Sequence, residues 1–324
     1  MLASMKHAPL VLAIILLVSF ANAESGFSPD GQLIQEVDFA QLHLPTDLNK
    51  TNLRIAVSND QNPLEWAGRI QSFSSSGIFP CNGGVVALPG YRLHDKALVL
   101  TAGHCVNIRD IGRLPPKRVL LNEPLKQEIY FDFPRSRQTT SDDGQRVKAK
   151  RFFFNRIVFA SFDVVDLALL EMNQTYEQLQ YGTQKPPMLV RRAFKMNEDV
   201  TAFGIPATAK YQSVRFHLST CKTTGVLTYH SGIGNIEDPS LAYDLTRRVL
   251  LNCTLLGGMS GGFIRDSKGH VIGVNSGGMR DGPSFYAGTA PLTHCATKDG
   301  HLNQACLAAL KTKIENWSGK ENKQ

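Results

Sequence analysis

The sequence predicts an all-β protein in two halves, closed by one C-terminal helix. Three observations carry that expectation. Short runs rich in β-branched and aromatic residues recur after Trp66, each bounded by Gly, Pro, Asn or Asp. No long stretch before residue 302 sustains a 3.6-residue apolar period. The proline pair Pro186-Pro187 breaks the pattern near the middle of the chain, where it suppresses both helix and central strand.

Taken in order, residues 1–23 read as a signal peptide. Lys6 supplies the basic start, Pro9 to Phe20 the apolar run, and Ala21-Asn22-Ala23 the small-residue cleavage site. The run is shorter than the roughly 20 residues that a membrane span needs. The expectation is a secreted or periplasmic protein, with no membrane attachment after signal removal. Residues 24–65 are polar and carry turn signals such as Ser28-Pro29-Asp30-Gly31, which suits an N-terminal arm or a propeptide. The first half, 66–180, contains runs such as Gly84-Val85-Val86-Ala87-Leu88 and Leu167-Ala168-Leu169-Leu170. The second, 189–298, contains an alternating run from Tyr211 to Leu218 and a hairpin turn at Asp266-Ser267-Lys268-Gly269. Residues 302–317 place Leu307, Leu310 and Ile314 at helical spacing. This spacing of strands fits sandwiches and barrels alike.

Composition narrows the function. The net charge is +7, yet Lys and Arg are scattered without a basic run or aromatic-interleaved patch, which argues against nucleic acid as a partner. Six cysteines in an exported chain suggest three disulfides out of 15 possible connectivities. Pairing sequence neighbours gives Cys81–Cys105, Cys221–Cys253 and Cys295–Cys306, three modest loops. With no C-x-x-C spacing, neither a metal site nor a cofactor is expected.

The chemistry concentrates in Leu256-Gly257-Gly258-Met259-Ser260-Gly261-Gly262-Phe263. Glycines around one hydroxyl mark a tight turn, and the N–H groups of Gly258 and Ser260 can converge on one small space where an oxyanion would sit. Read alone, most such stretches are Gly-rich hairpins with an incidental serine. A nucleophilic serine needs a base, and a base works best when a carboxylate orients it. Of nine histidines, His104 stands out because the apolar run Val99-Leu100-Thr101 leads into a small-residue turn that presents it. Asp166 is the first choice of carboxylate, since it stands at the mouth of a fully apolar strand and would need a partner there. Asp163 is the second choice.

Thr101-Ala102-Gly103-His104-Cys105, Asp166-Leu167-Ala168-Leu169-Leu170 and Gly258-Met259-Ser260-Gly261-Gly262 resemble the three active-site motifs of trypsin-like (chymotrypsin-fold) serine proteases, in that family's order. Val271 to Gly278 and Pro283-Ser284-Phe285-Tyr286-Ala287 resemble the two strands beside its substrate pocket. The resemblance spans about Gly68 to Trp317. It implies two antiparallel six-stranded β-barrels with the active site between them. In that frame His104 is base and then acid, Asp166 its orienter, and Ser260 the nucleophile. The N–H groups of Gly258 and Ser260 form the oxyanion hole, and Ser276 supports the carboxylate.

The departures from the family pattern are informative. Met259 stands where the family usually has an acid that receives a new N-terminus on zymogen cleavage, so activation by that ion pair is not expected. The placement of Cys221 and Cys253 is nearer the bacterial and glutamyl-endopeptidase-like branches than digestive trypsins. By position, Thr254, Ser276, Gly277, Gly278 and Ser284 form the substrate pocket, with no acid to pair with Arg or Lys. A neutral pocket follows, although Arg280 lies near. The expectation is a monomeric serine endopeptidase acting on protein or peptide substrates. The alternative is a secreted binding or adhesion module with the same fold and little activity.

Overall fold

A computed structural model describes residues 26–27, 33–34, 53–55, 66–74, 77–108, 112–113, 118–124, 129–132, 151–162, 165–179, 185–190, 195, 197–204, 217–228, 247–253, 255, 258–278 and 284–316. Residues 1–23, read above as a signal peptide, lie outside the described residues, as do most of residues 24–65 and Asp163, Thr254 and Arg280.

Strand β1 (Leu53–Ile55) precedes β2 (Ala67–Ser74), β3 (Gly77–Val86), β4 (Lys96–Thr101), β5 (Val119–Pro124), β6 (Ile129–Asp132), β7 (Arg151–Ser161) and β8 (Leu167–Thr175). Then come β9 (Asp199–Gly204), β10 (His217–Thr228), β11 (Arg247–Leu251), β12 (Phe263–Arg265), β13 (Val271–Gly278) and β14 (Ser284–Gly288). One sheet runs β6-β2-β3-β4-β8-β7-β5, and β6 also meets β7; the other runs β9-β12-β13-β14-β11-β10-β1, and β9 also meets β10. Two short hairpins, Gly26–Phe27 with Leu33–Ile34 and Asn107–Ile108 with Gly112–Arg113, stand apart from them.

The expected pair of six-stranded barrels is therefore corrected: both large sheets are seven-stranded. Long strands take the extra partners. β7 has 11 residues and two register shifts, so it meets β6 at one end and both β8 and β5 along the rest. In the second sheet the seventh strand is β1, which pairs antiparallel with His217–Ser219 of β10. The C-terminal helix is present as α3, described below.

One core joins the two sheets. Phe203, Phe263, Val271, Val274 and Ala287 of the second sheet share a buried cluster with Ile70, Val85, Leu100, Phe159 and Leu169 of the first. Gly84 makes this possible, because a Cβ there would lie 1.8 Å from the Phe263 ring. A smaller cluster inside the second sheet gathers Val200, Ala202, Ile264, Ile272 and Tyr286 around Cys221 and Cys253. The segment after the proline pair runs between the sheets and bonds to both. Ala87 N donates to Pro187 O (3.0 Å) and Leu189 N to Ala87 O (2.9 Å), while Val271 N donates to Met188 O (3.0 Å).

The helices are few. α1 (Tyr176–Leu179) ends β8, and α2 (Ala290–His294) follows β14. α3 (Gln304–Glu315) starts where Asn303 Oδ1 accepts from Cys306 N (3.0 Å), a side-chain N-cap. It buries Leu307, Leu310 and Ile314, and Val119 N of β5 donates to its Glu315 Oε1 (3.1 Å). The chain carries the disulfides Cys81–Cys105, Cys221–Cys253 and Cys295–Cys306. Among the described residues no helix is long and apolar enough to cross a membrane.

Tyr176 pins α1 to the first sheet: its hydroxyl donates to Val86 O (2.6 Å) and accepts from Leu98 N (3.3 Å). Burial pushes the phenol pKa well above its ordinary value. Tyr176→Phe leaves both backbone groups without that partner and should lower stability by about 1–3 kcal/mol, read from urea denaturation. An unchanged midpoint would show that the bond contributes nothing.

Candidate active site

Strand register brings His104 and Asp166 together. β4 and β8 pair antiparallel with Ala168 opposite Thr101, so the residues just before β8 lie beside those just after β4. Gly103–Cys105 forms a tight 3-10 turn there. Gly103 is required, because a Cβ would stand 1.8 Å from Ser161 O. The disulfide of Cys105 to Cys81 ties the turn to β3. In this corner His104 N donates to Asp166 Oδ1, and His104 Nδ1 meets Asp166 Oδ2, both at 2.8 Å. A carboxylate only accepts, so in the neutral imidazole the proton sits on Nδ1 and Nε2 keeps its lone pair.

Ser276 Oγ donates to Asp166 Oδ2 (2.5 Å). It lies at the register shift between Asn275 and Gly277 where β13 meets β14, an irregularity of the kind that re-aims a side chain. Asp166 is buried, which by itself raises a carboxyl pKa. The charge and hydrogen bond of His104, the Arg248 charge and the Ser276 hydroxyl outweigh that and hold it below the ordinary value.

Ser260 is buried at the tip of the glycine turn. Gly258 and Gly261 have φ of +85° and +77°, which glycine adopts freely. Gly261 also has no room for a side chain: a Cβ would lie 2.1 Å from Asn82 O and 2.3 Å from Thr101 Oγ1. The serine turn is thus seated directly on the end of β4 that leads into the His104 turn. Asn82 N donates to Ser260 O (2.7 Å), and Asn82 Nδ2 donates to Gly258 O. From the second sheet, Asn275 Nδ2 donates to Met259 O (3.2 Å) and Phe203 O (2.8 Å). Met259 is buried against Gly204.

The structure thus joins His104, Asp166 and Ser276 by direct hydrogen bonds and seats the Ser260 turn against the same corner. Of the expected pocket residues, Gly278 and Ser284 are register partners on β13 and β14, with Gly277 beside them. Ser284 is buried and its Oγ accepts from Leu255 N (2.8 Å). Thr254 lies outside the described residues. Among the described residues, Cys81, His104 and Cys105 have atoms close enough for a metal. Both sulfurs are bonded to each other and His104 Nδ1 faces Asp166, so the group does not suit a cation. Sequence reasoning missed Asn82 and Asn275. The available signal was an amide inside an otherwise apolar strand, Val271-Ile272-Gly273-Val274-Asn275.

No curated protein matches the sequence significantly. Among solved structures, the chain is similar to the thermostable serine protease AL20 from an extremophilic microorganism, at 18% identity and a TM-score of 0.46, over 69% of this chain and 91% of that one. It is also similar to protease Anisep from Arthrobacter nicotinovorans, at 18% identity and a TM-score of 0.45, over 70% and 91%. The active form of the Rv3671c protease from M. tuberculosis matches at 18% identity and a TM-score of 0.43, over 70% and 77%. These are distant likenesses; the family assignment rests on sequence. The trypsin-like peptidase domain family matches residues 82–274, more than half of the chain. The match begins at Asn82 and takes in the His104, Asp166 and Ser260 motifs, and the chain belongs to the trypsin-like peptidase family.

Proposed function

We propose that the protein is an exported serine endopeptidase working through an acyl-enzyme intermediate. His104 Nε2 takes the Ser260 Oγ proton as that oxygen attacks the substrate carbonyl, and then returns it to the leaving amine. Water repeats the sequence in reverse to release the acid. Asp166 fixes the imidazole tautomer and balances the imidazolium, and Ser276 supports the carboxylate. The N–H groups of Gly258 and Ser260 receive the oxyanion. The observation that carries this reading is the Ser276–Asp166–His104 chain of hydrogen bonds, with the Ser260 turn seated against it.

The substrate is a peptide bond preceded by an uncharged side chain, accepted in a pocket formed by Thr254, Ser276, Gly277, Gly278 and Ser284. No acid stands at these positions, and the Ser284 hydroxyl is already engaged by Leu255 N. The signal-peptide pattern of residues 1–23 supports export. A fluorophosphonate probe should label the secreted wild-type protein, and a peptide library should show cleavage after neutral residues. Failure of the disulfide-bonded protein to label, with or without residues 24–65, would favour the binding-module reading. Strict cleavage after Arg or Lys would overturn the neutral pocket.

A further inference from the structure

Three consecutive carbonyls around the serine are each held by a donor from outside the turn. Gly258 O and Ser260 O accept from the side-chain amide and the main-chain N–H of one residue, Asn82. Met259 O, between them, accepts from Asn275 Nδ2 (3.2 Å). Carbonyls only accept, so each asparagine turns its NH₂ toward the turn. In a trans peptide the N–H points opposite its carbonyl. Holding the Met259 carbonyl against Asn275 therefore turns the Ser260 N–H to the other side. Holding Gly258 O fixes the preceding plane, Gly258–Met259, through which the turn enters Ser260.

Asn82 reaches the turn from the first sheet and Asn275 from the second, so the turn is gripped from both sides. Asn82 is also tied to the histidine: Thr101 Oγ1 donates to Asn82 O (2.7 Å), and neighbouring Cys81 is bonded to Cys105. One residue thus sets the separation between the nucleophile turn and the base turn. Met259, apolar and 1% exposed, brings no charge of its own to the turn.

We propose that Asn82 is a positioning residue for hydrolysis: its side-chain amide holds the oxyanion turn in catalytic register with His104, while Asn275 secures the opposite side. This rests on the hydrolase reading above. The turn is then preformed, and no ion pair at position 259 is needed to build it.

The test compares the wild type with Asn82→Ala, reading kcat, KM, the affinity for a peptide aldehyde that forms a tetrahedral adduct on serine, and the melting temperature. Misplacing the turn should lower kcat about 100-fold. KM should stay nearly constant, aldehyde affinity should fall in parallel with kcat/KM, and the variant should still melt cooperatively. A folded Asn82→Ala with unchanged kcat and aldehyde affinity would overturn the proposal. If alanine prevents folding, Asn82→Asp carries the same test, because it keeps the shape and the main-chain bond while its carboxylate cannot donate to Gly258 O. Wild-type protein that takes no fluorophosphonate label would instead remove the hydrolase reading itself.

Discussion

Replacing Ser260 with alanine is expected to lower kcat about 10⁶-fold, and His104→Ala should do nearly the same. The two losses should not add. Oxygen and base act as one unit, so the double variant should be little worse than either single one. Both side chains sit on turns whose backbone is fixed by other residues: Gly103 and the Cys105 disulfide for one, and Gly261 with the two asparagines for the other. The alanine variants should therefore fold normally. Steady-state hydrolysis of a peptide amide, with melting curves as the folding control, measures the effect. A folded Ser260→Ala that keeps more than about one per cent of wild-type kcat would sink the nucleophile assignment.

The second large effect is that of Asp166→Asn, expected to lower kcat about 10⁴-fold. An amide can donate to His104 Nδ1, which would move the ring proton to Nε2 and leave no base facing the serine. This substitution also changes the response to acid. The Asp166 carboxyl is held below its ordinary value in the folded protein, mostly by His104, against the opposing effect of burial. A depressed folded pKa means that the stabilisation is complete above the unfolded value of about 3.9, and is lost as pH falls through the folded one. The stability difference between wild type and Asp166→Asn should thus shift against the wild type as pH falls below about 4. Urea midpoints from pH 2 to pH 7 measure this. Parallel curves over the whole range would show that the carboxyl is unperturbed.

Much of the candidate site was legible because its parts are local. Val99-Leu100-Thr101 followed by small residues announces a strand that ends in a turn, and Asp166 ahead of Leu167–Leu170 announces a carboxylate beside buried chain. Ser260 among glycines announces a tight turn. Strand count was less legible, because a segment as short as Leu53–Ile55 owes its strand geometry to the edge of β10, which is more than 160 residues away in sequence. The roles of Asn82 and Asn275 were hidden for a related reason. An asparagine in a strand is ordinarily a weak element, and only the fold shows that its amide answers carbonyls from another strand or turn. Gly84 likewise reads only as the start of an apolar run in the sequence, whereas in the fold it makes room for an aromatic ring from the opposite sheet.

That contact bears on how the protein can be divided. Composition invites a cut at the proline pair, as though each half were an independent module. Yet the side chain that fills the notch above Gly84 is Phe263, and the strap after the prolines lends its peptide groups to both sheets. A fragment ending before Pro186 would carry an open notch in its interior, and its counterpart would expose a phenylalanine with nothing to cover it. The seam that holds the proposed catalytic residues is therefore interior structure that both halves complete, and the smallest transplantable unit of this enzyme is the pair of sheets together.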